Sequence, residues 1–191
     1  MTNKPHNNTR RSAKFKGFTI VETLVAVMIL SIAMAGSLAL ASKGLNTIVV
    51  ARQEVNATYL AQDVMEYLRA LRDTNCITAS SLTGTCANSA WLGNLPTLCA
   101  GGGCFIDTVT DAQTACGATC PVMNYDETNH VYTYNAVTTT ITPTVFTRTV
   151  YIQNPVGGNA SEASTTVLVS WPSVGGVIRS VRVHDNLYNW E

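Results

Sequence analysis

The chain has 191 residues, a length typical of one domain. Hydrophobic residues make up 46% of it, but charged residues only 13%, about half of the usual share. This excludes a disordered chain and a strongly nucleic-acid-binding one, and it favours a membrane or extracellular setting. The net charge is zero, yet residues 1–17 hold five basic side chains and no acidic one, which leaves seven basic against twelve acidic side chains elsewhere. A basic head before an acidic body is typical of a targeting segment, so we predict no nucleic-acid partner.

An apolar segment of 24 residues, 18–41, follows the basic head and contains one ionisable group, Glu22. It is long enough to cross a bilayer, since about 20 helical residues span the hydrocarbon core. The basic residues before it predict a cytoplasmic N-terminus and place the rest of the chain outside the inner membrane. The alternative is a secretory signal cleaved after Ala41. Two observations oppose that alternative: the apolar run exceeds the roughly 7–15 residues of a signal core, and a carboxylate in a membrane helix is costly unless it has a function.

The junction between these segments carries a specific motif, Lys-Gly-Phe-Thr-Ile-Val-Glu at residues 16–22. It resembles the class III signal of type IV prepilins, in which a short basic leader and a glycine precede a long hydrophobic helix that opens on phenylalanine. The resemblance implies that prepilin peptidase cleaves between Gly17 and Phe18, that Phe18 is then N-methylated, and that Glu22 meets the terminal amine of a neighbouring subunit. Such a cation would relieve the cost of an unpaired carboxylate among packed apolar helices.

Apolar residues then recur every three to four positions, which predicts that the helix continues as an amphipathic segment over residues 42–75. The predicted stripe consists of Leu45, Ile48, Val55, Leu60, Val64, Leu68 and Leu71. Asp73, Thr74 and Asn75 are expected to end the helix. Residues 18–41 would thus form the transmembrane or filament-core half, residues 42–75 the half that packs on a globular head, and residues 76–191 the head itself.

All six cysteines lie in a stretch rich in Gly, Thr and Ser, at Cys76, Cys86, Cys99, Cys104, Cys116 and Cys120. An even number in such a stretch favours disulfides in an oxidising compartment. The spacing lacks the C-x2-C pairs and the nearby histidines of zinc ribbons, so we expect no metal. Fifteen connectivities are possible, and our hypothesis is sequential local pairing, 76–86, 99–104 and 116–120. Residues 76–120 are expected to form a loop-rich lobe with few apolar residues of its own.

The remainder, residues 121–191, alternates in polarity and predicts strands, which are separated by turns rich in Gly and Pro. The predicted strands are Val131–Val137, Thr144–Ile152, Thr165–Trp171 and Val177–Val183. Short connections favour an antiparallel sheet of about four strands. Val167, Val169 and Trp171 would share one face, which the amphipathic half of the helix covers. The expected fold class is α+β and type IV pilin-like, with the cysteine-rich loops between the helix and the sheet.

Residue patterns typical of catalysis or cofactor binding are missing from the sequence. His6, His130 and His184 are far apart, and the glycines at 101–103 lack the Lys-Ser/Thr of a phosphate loop. We therefore predict neither an enzyme nor a cofactor. The pair Asp126-Glu127 is typical of a solvated turn, with a calcium site as the alternative.

The C-terminal stretch, residues 165–190, is similar to minor pilins of the PilV type and to the minor pseudopilins of type II secretion, the GspI and GspJ group. The resemblance implies a minor type IV pilin that crosses the inner membrane once, with its head in the periplasm and later on the cell-surface pilus. Its implied partners are prepilin peptidase, other major and minor pilins, the inner-membrane assembly platform and the lipid bilayer. A type II secretion pseudopilin is the alternative, and a secreted disulfide-rich binding protein is a third interpretation.

Overall fold

The computed structural model describes residues 17–83, 91–154, 156–157, 161–173 and 175–189, and the side chains of residues 79–83 are outside the description. The predicted leader up to residue 16, as well as Cys86 and Trp190, lies outside these ranges. The chain forms two compact units, Met1–Leu45 and Asn46–Glu191. The boundary between them falls inside the first helix.

Helix α1 spans Ile20–Thr83, whereas the predicted helix runs from residue 18 to residue 75. The polar residues expected to end it are held within it. The Asp73 carboxylate accepts a hydrogen bond from Arg72 Nε at 2.9 Å, and the Asn75 Nδ2 group donates to the Trp91 carbonyl at 3.1 Å. Because these side chains have partners other than the helix backbone, they do not compete for its hydrogen bonds, and α1 continues past residue 75.

The part of α1 in the second unit buries a stripe that begins later than predicted. The buried residues are Ala57, Leu60, Ala61, Val64, Met65 and Leu68. Three residues of the predicted stripe, Leu45, Ile48 and Val55, are instead 65%, 64% and 52% exposed. The prediction was wrong there, because Leu45 and Ile48 continue the exposed apolar segment and Val55 precedes Ala57, the first buried residue of α1. Periodicity identifies apolar positions, but it does not locate the end of the surface that covers them.

One antiparallel sheet forms in the second unit, together with a short helix, α2, at Leu95–Leu98. Its described strands are β1 Cys104–Asp107, β2 Ala112–Ala115, β3 Val122–Asp126, β4 Val131–Thr133, β5 Ile141–Gln153, β6 Glu162–Pro172 and β7 Ile178–Tyr188. The long strand β5 pairs with β6 along one edge. Along its other edge it pairs first with β3 and then, at Val150, with β1. Strands β2, β4 and β7 pair outward from β1, β3 and β6.

The face predicted for β6 is confirmed, because Val167, Val169 and Trp171 are all buried. In the pairing of β6 with β7, Val167 lies opposite Val183, and Val169 lies opposite Val181. This face packs against the buried stripe of α1 in a single hydrophobic core. The predicted α+β, type IV pilin-like architecture is therefore confirmed, although seven described strands form the sheet in place of about four.

The cysteine-rich region differs from the loop-rich lobe that we expected. It contains α2, β1 and β2, and it contributes the buried residues Trp91, Leu92, Leu95, Cys99, Cys104 and Ile106 to the core. Strands of four residues are too short to show alternation, so pairing determines them: β1 pairs with the long strand β5, and β2 pairs with β1. The predicted strand at 131–137 ends at Thr133, because the Tyr134 N–H donates to the buried Asp107 carboxylate at 2.8 Å.

Candidate functional site

The candidate site is the beginning of α1, where a threonine caps the helix. The Glu22 backbone N–H donates to the Thr19 hydroxyl at 3.2 Å, and the Thr23 N–H donates to the Thr19 carbonyl at 3.2 Å. Thr19 is thus the N-cap residue, and Glu22 occupies the third helical position, the spacing of a capping box. A carboxylate there is favoured by the positive end of the helix dipole. The sequence analysis missed the role of Thr19, although its spacing from Glu22 was the available signal.

The other polar side chains of the apolar segment bond to α1 itself. The Thr23, Ser31 and Ser37 hydroxyls donate to carbonyls of the preceding turn at 2.8–3.2 Å. These hydroxyls are therefore satisfied without water, as a lipid or apolar environment requires. The Glu22 carboxylate differs from them, because it has no hydrogen-bond or ion-pair partner in the described part of the chain.

Every residue from 17 to 49 is exposed in this chain, and the Phe18 side chain is 77% exposed. Among the described residues, α1 is the one helix long and apolar enough to cross a membrane, judged by length and composition alone. An apolar surface of this extent needs lipid or other apolar helices around it. In either environment a lone carboxylate is costly unless a cation pairs with it. The site thus combines an uncovered apolar helix with one unpaired charge close to its start.

Two disulfides of the second unit, Cys99–Cys104 and Cys116–Cys120, match the predicted sequential pairing. Cys76 is also disulfide-bonded, and Cys86, its predicted partner, lies outside the described residues. The two described bridges flank one pair of strands, since β1 begins at Cys104 and β2 ends beside Cys116. They therefore close short loops at the same end of the β1–β2 hairpin.

The predicted turn at Asp126-Glu127 is present, and the Asp126 carboxylate caps it. The Asp126 carboxylate accepts hydrogen bonds from the Asn129 side chain at 2.8 Å and from the backbone N–H groups of Thr128 and Asn129 at 2.8 and 3.2 Å. The Asn129 amide and these N–H groups lower the pKa of Asp126. Its oxygens are thus engaged in capping the turn that contains His130. Within the described ranges, no three potential metal-ligating side chains gather at one place.

Comparison with known proteins identifies the N-terminal segment. Residues 12–38 match the family model described as the prokaryotic N-terminal methylation motif, and the match includes Gly17, Phe18 and Glu22. No curated protein and no solved structure matches the chain. The motif is a type IV prepilin-like signal, and it indicates a pilin-like or pseudopilin-like precursor that is structural in role. It implies processing by prepilin peptidase and assembly with other pilins, and the apolar helix is consistent with inner-membrane anchoring.

Proposed function

We propose that this protein is a minor type IV pilin, which is incorporated into the pilus or primes its assembly after prepilin peptidase has removed residues 1–17. The unpaired Glu22 carboxylate carries the proposal. It lies on an uncovered apolar helix, inside the segment that matches the methylation motif. A membrane anchor alone has no use for such a charge, whereas a subunit that must dock beside other helices does.

Cleavage between Gly17 and Phe18 would place a new amine directly before the Thr19 cap. A side chain at Gly17 would meet no atom within 4 Å in this chain, so the fold itself does not require a glycine there. We infer that the glycine is required by the peptidase, whose active site must admit the Gly17–Phe18 peptide bond. N-methylation of Phe18 keeps the amine cationic. The product presents one cation and one anion within the first turns of the same helix.

Docking would follow from pairing these charges between subunits. In an apolar surrounding, a neighbour's Phe18 amine stabilises Glu22 far more than it would in water, because the effective dielectric constant is low. Only one axial offset brings the two charges together, so the pair also sets the register between helices, as a buried polar residue does in a coiled coil. The Thr19 cap would hold the first turn in shape while this pair forms.

Two features support a minor pilin of the PilV type. The stretch 165–190 is similar to that group, and no cysteine follows Cys120, whereas major pilins commonly close their C-terminal region with a disulfide. The head would face the periplasm while α1 is in the inner membrane, reach the assembly platform there, and then move to the cell surface within the pilus. A minor pseudopilin of type II secretion would use the same site in another machine.

The test compares wild type with Glu22→Ala, Glu22→Lys and Glu54→Ala, the last being a control at an exposed carboxylate farther along α1. N-terminal sequencing should find Phe18 first in all four proteins, and all four should fractionate with the inner membrane. Incorporation into sheared pili should fall sharply for Glu22→Ala and further for Glu22→Lys, where two cations would face each other. The control should assemble as wild type does.

Three results would contradict parts of this proposal. Mature protein beginning at Ser42 would exclude a pilin altogether. Normal incorporation of processed Glu22→Ala would refute the pairing role. Co-purification with secretion pseudopilins, and absence from sheared pili, would assign the protein to type II secretion.

A further inference from the structure

A polar groove of about 390 Å³ lies on the second unit, on the outer face of the sheet. Its floor is formed by β5 and β6, and its wall by the loop that the Cys99–Cys104 disulfide closes. We call it the Tyr151 groove. Its volume lies within the roughly 300–1,000 Å³ of small-molecule sites.

Four side chains of the floor project from the same face. Tyr151 lies opposite Thr166, and Gln153 lies opposite Ser164, in the pairing of β5 with β6. Residues two apart on a strand share a face, so the two pairs stand side by side. Ile152, which lies between Tyr151 and Gln153 on β5, is buried in the core on the other side of the sheet. The floor is therefore a small platform of one tyrosine ring with its hydroxyl, two further hydroxyls and one amide.

The wall of the groove holds the Tyr151 ring in place. The Ile152 N–H donates to the Cys99 carbonyl at 3.4 Å, which ties the disulfide loop to β5. Gly103 approaches the ring so closely that a Cβ atom at that residue would lie 2.9 Å from Tyr151 Cε1. A ring supported on one side loses little freedom when a ligand binds its other side, which favours affinity.

Most of the polar groups on the floor are available to a ligand. The Tyr151 hydroxyl, the Gln153 amide and the Ser164 hydroxyl have no hydrogen-bond partner in the described part of the protein. The Thr166 hydroxyl already lies 3.1 Å from His184 Nδ1. None of the described lining residues carries a charge at neutral pH. The groove thus offers donors, acceptors and an aromatic ring, but no counter-ion.

From this chemistry we propose that the Tyr151 groove binds a neutral saccharide. A pyranose ring has a C–H face that can stack on the tyrosine ring, and hydroxyls around its edge that both donate and accept hydrogen bonds. An anionic or cationic ligand would lose hydration without gaining an opposite charge. A purely apolar ligand would strip water from the hydroxyls and the amide and leave them unpaired. This inference goes beyond the proposed role in the pilus and does not depend on it.

The test uses the full, processed protein in a detergent without a sugar headgroup, applied to an array of neutral gluco-, manno- and galacto-configured oligosaccharides with sialylated and sulfated counterparts. The best neutral ligand is then titrated into wild type and variants. We expect Tyr151→Ala to weaken binding about tenfold or more, as the loss of an aromatic anchor does. Tyr151→Phe should bind more tightly than Tyr151→Ala, and Gln153→Ala should bind more weakly than wild type.

Thr147→Ala is the matched control, because Thr147 lies on the same face of β5 but outside the groove. Its affinity should stay within about twofold of the wild-type value. Should Tyr151→Ala fail to fold, the Gln153→Ala titration decides. Lack of binding to every neutral saccharide, preference for the charged counterparts, or affinities unchanged in the folded groove variants would each overturn the proposal.

Discussion

Three consecutive glycines in the Cys99–Cys104 loop should differ in how strongly alanine at each position destabilises the protein. Gly101 has a φ of +62° but no atom within 4 Å of a Cβ built on it, and Gly102 has neither a positive φ nor a close contact. Gly103 has a φ of +78° and a Cβ site only 2.6 Å from Thr149 Cγ2, with the Val150 carbonyl at 3.1 Å. Alanine at each position therefore separates backbone strain from steric overlap.

The expected costs follow from these two terms. A left-handed conformation costs an L-residue about 1–2 kcal/mol, and Gly→Ala recovers about 0.4–1 kcal/mol by restricting the unfolded chain. Gly102→Ala should thus be neutral or slightly stabilising, and Gly101→Ala should lower the free energy of unfolding by about 1 kcal/mol. Gly103→Ala adds an overlap with a β-branched side chain and a carbonyl, which costs a further 1–3 kcal/mol or so.

These differences in the free energy of unfolding can be measured by urea unfolding. The transition is monitored by the fluorescence of Trp91 and Trp171, which are both buried in the second unit. The order of stability should be Gly102→Ala, Gly101→Ala, Gly103→Ala, from most to least stable. A Gly103→Ala protein as stable as Gly101→Ala would refute the close approach of the loop to β5. A Gly102→Ala protein as unstable as Gly103→Ala would refute the loop conformation itself.

Three further predictions concern polar groups and bridges of the second unit. Replacing the buried Arg148 by methionine should lower the free energy of unfolding by about 2–3 kcal/mol, measured by the same urea assay, since its hydrogen bonds to α1 and β1 are lost. Burial raises the pKa of Asp107, but hydrogen bonds led by the one from the Tyr134 N–H outweigh burial and lower the pKa below its ordinary value. The free energy of unfolding should therefore fall as the pH drops below about 4. This fall should be less steep in Asp107→Asn, which has no carboxylate to protonate. Under mild reductant, alkylation and mass spectrometry should find that the Cys116–Cys120 disulfide opens before the Cys99–Cys104 disulfide. The reason is that Cys99 and Cys104 are both buried, whereas Cys116 is partly exposed. Equal rates of opening would contradict this prediction.

The sequence predicts those elements whose pattern is long enough to be seen. The apolar segment, the amphipathic half of α1 and strand β6 each show several repeats of their period, and all three are present. The C-terminal limit of α1 was less predictable, because Asn75 in its last turns bonds to the carbonyl of Trp91, a residue distant in sequence. Strand β2, Ala112–Ala115, has little intrinsic preference for extended structure and forms by pairing with β1.

The proposed site at residues 17–22 and the Tyr151 groove also differ in how far the sequence predicts them. Gly17, Phe18 and Glu22 could be proposed from the sequence because the motif is contiguous, and the matched residues 12–38 include all three. The Tyr151 groove could not, because its parts come from the Cys99–Cys104 loop and from two later strands. Only the register of β5 with β6 brings Tyr151 beside Ser164 and Thr166. No local pattern encodes that register.

Arg148 links the sheet of the second unit to α1. From β5, its guanidinium donates to the Leu60 carbonyl and the Asp63 carboxylate of α1, at 2.9 and 3.0 Å, and to the Ile106 carbonyl of β1. Apolar packing is not directional, whereas these hydrogen bonds fix the turn of α1 from Leu60 to Asp63 against β5. A buried guanidinium that would cost stability without partners thereby fixes the position of this part of α1 on the sheet.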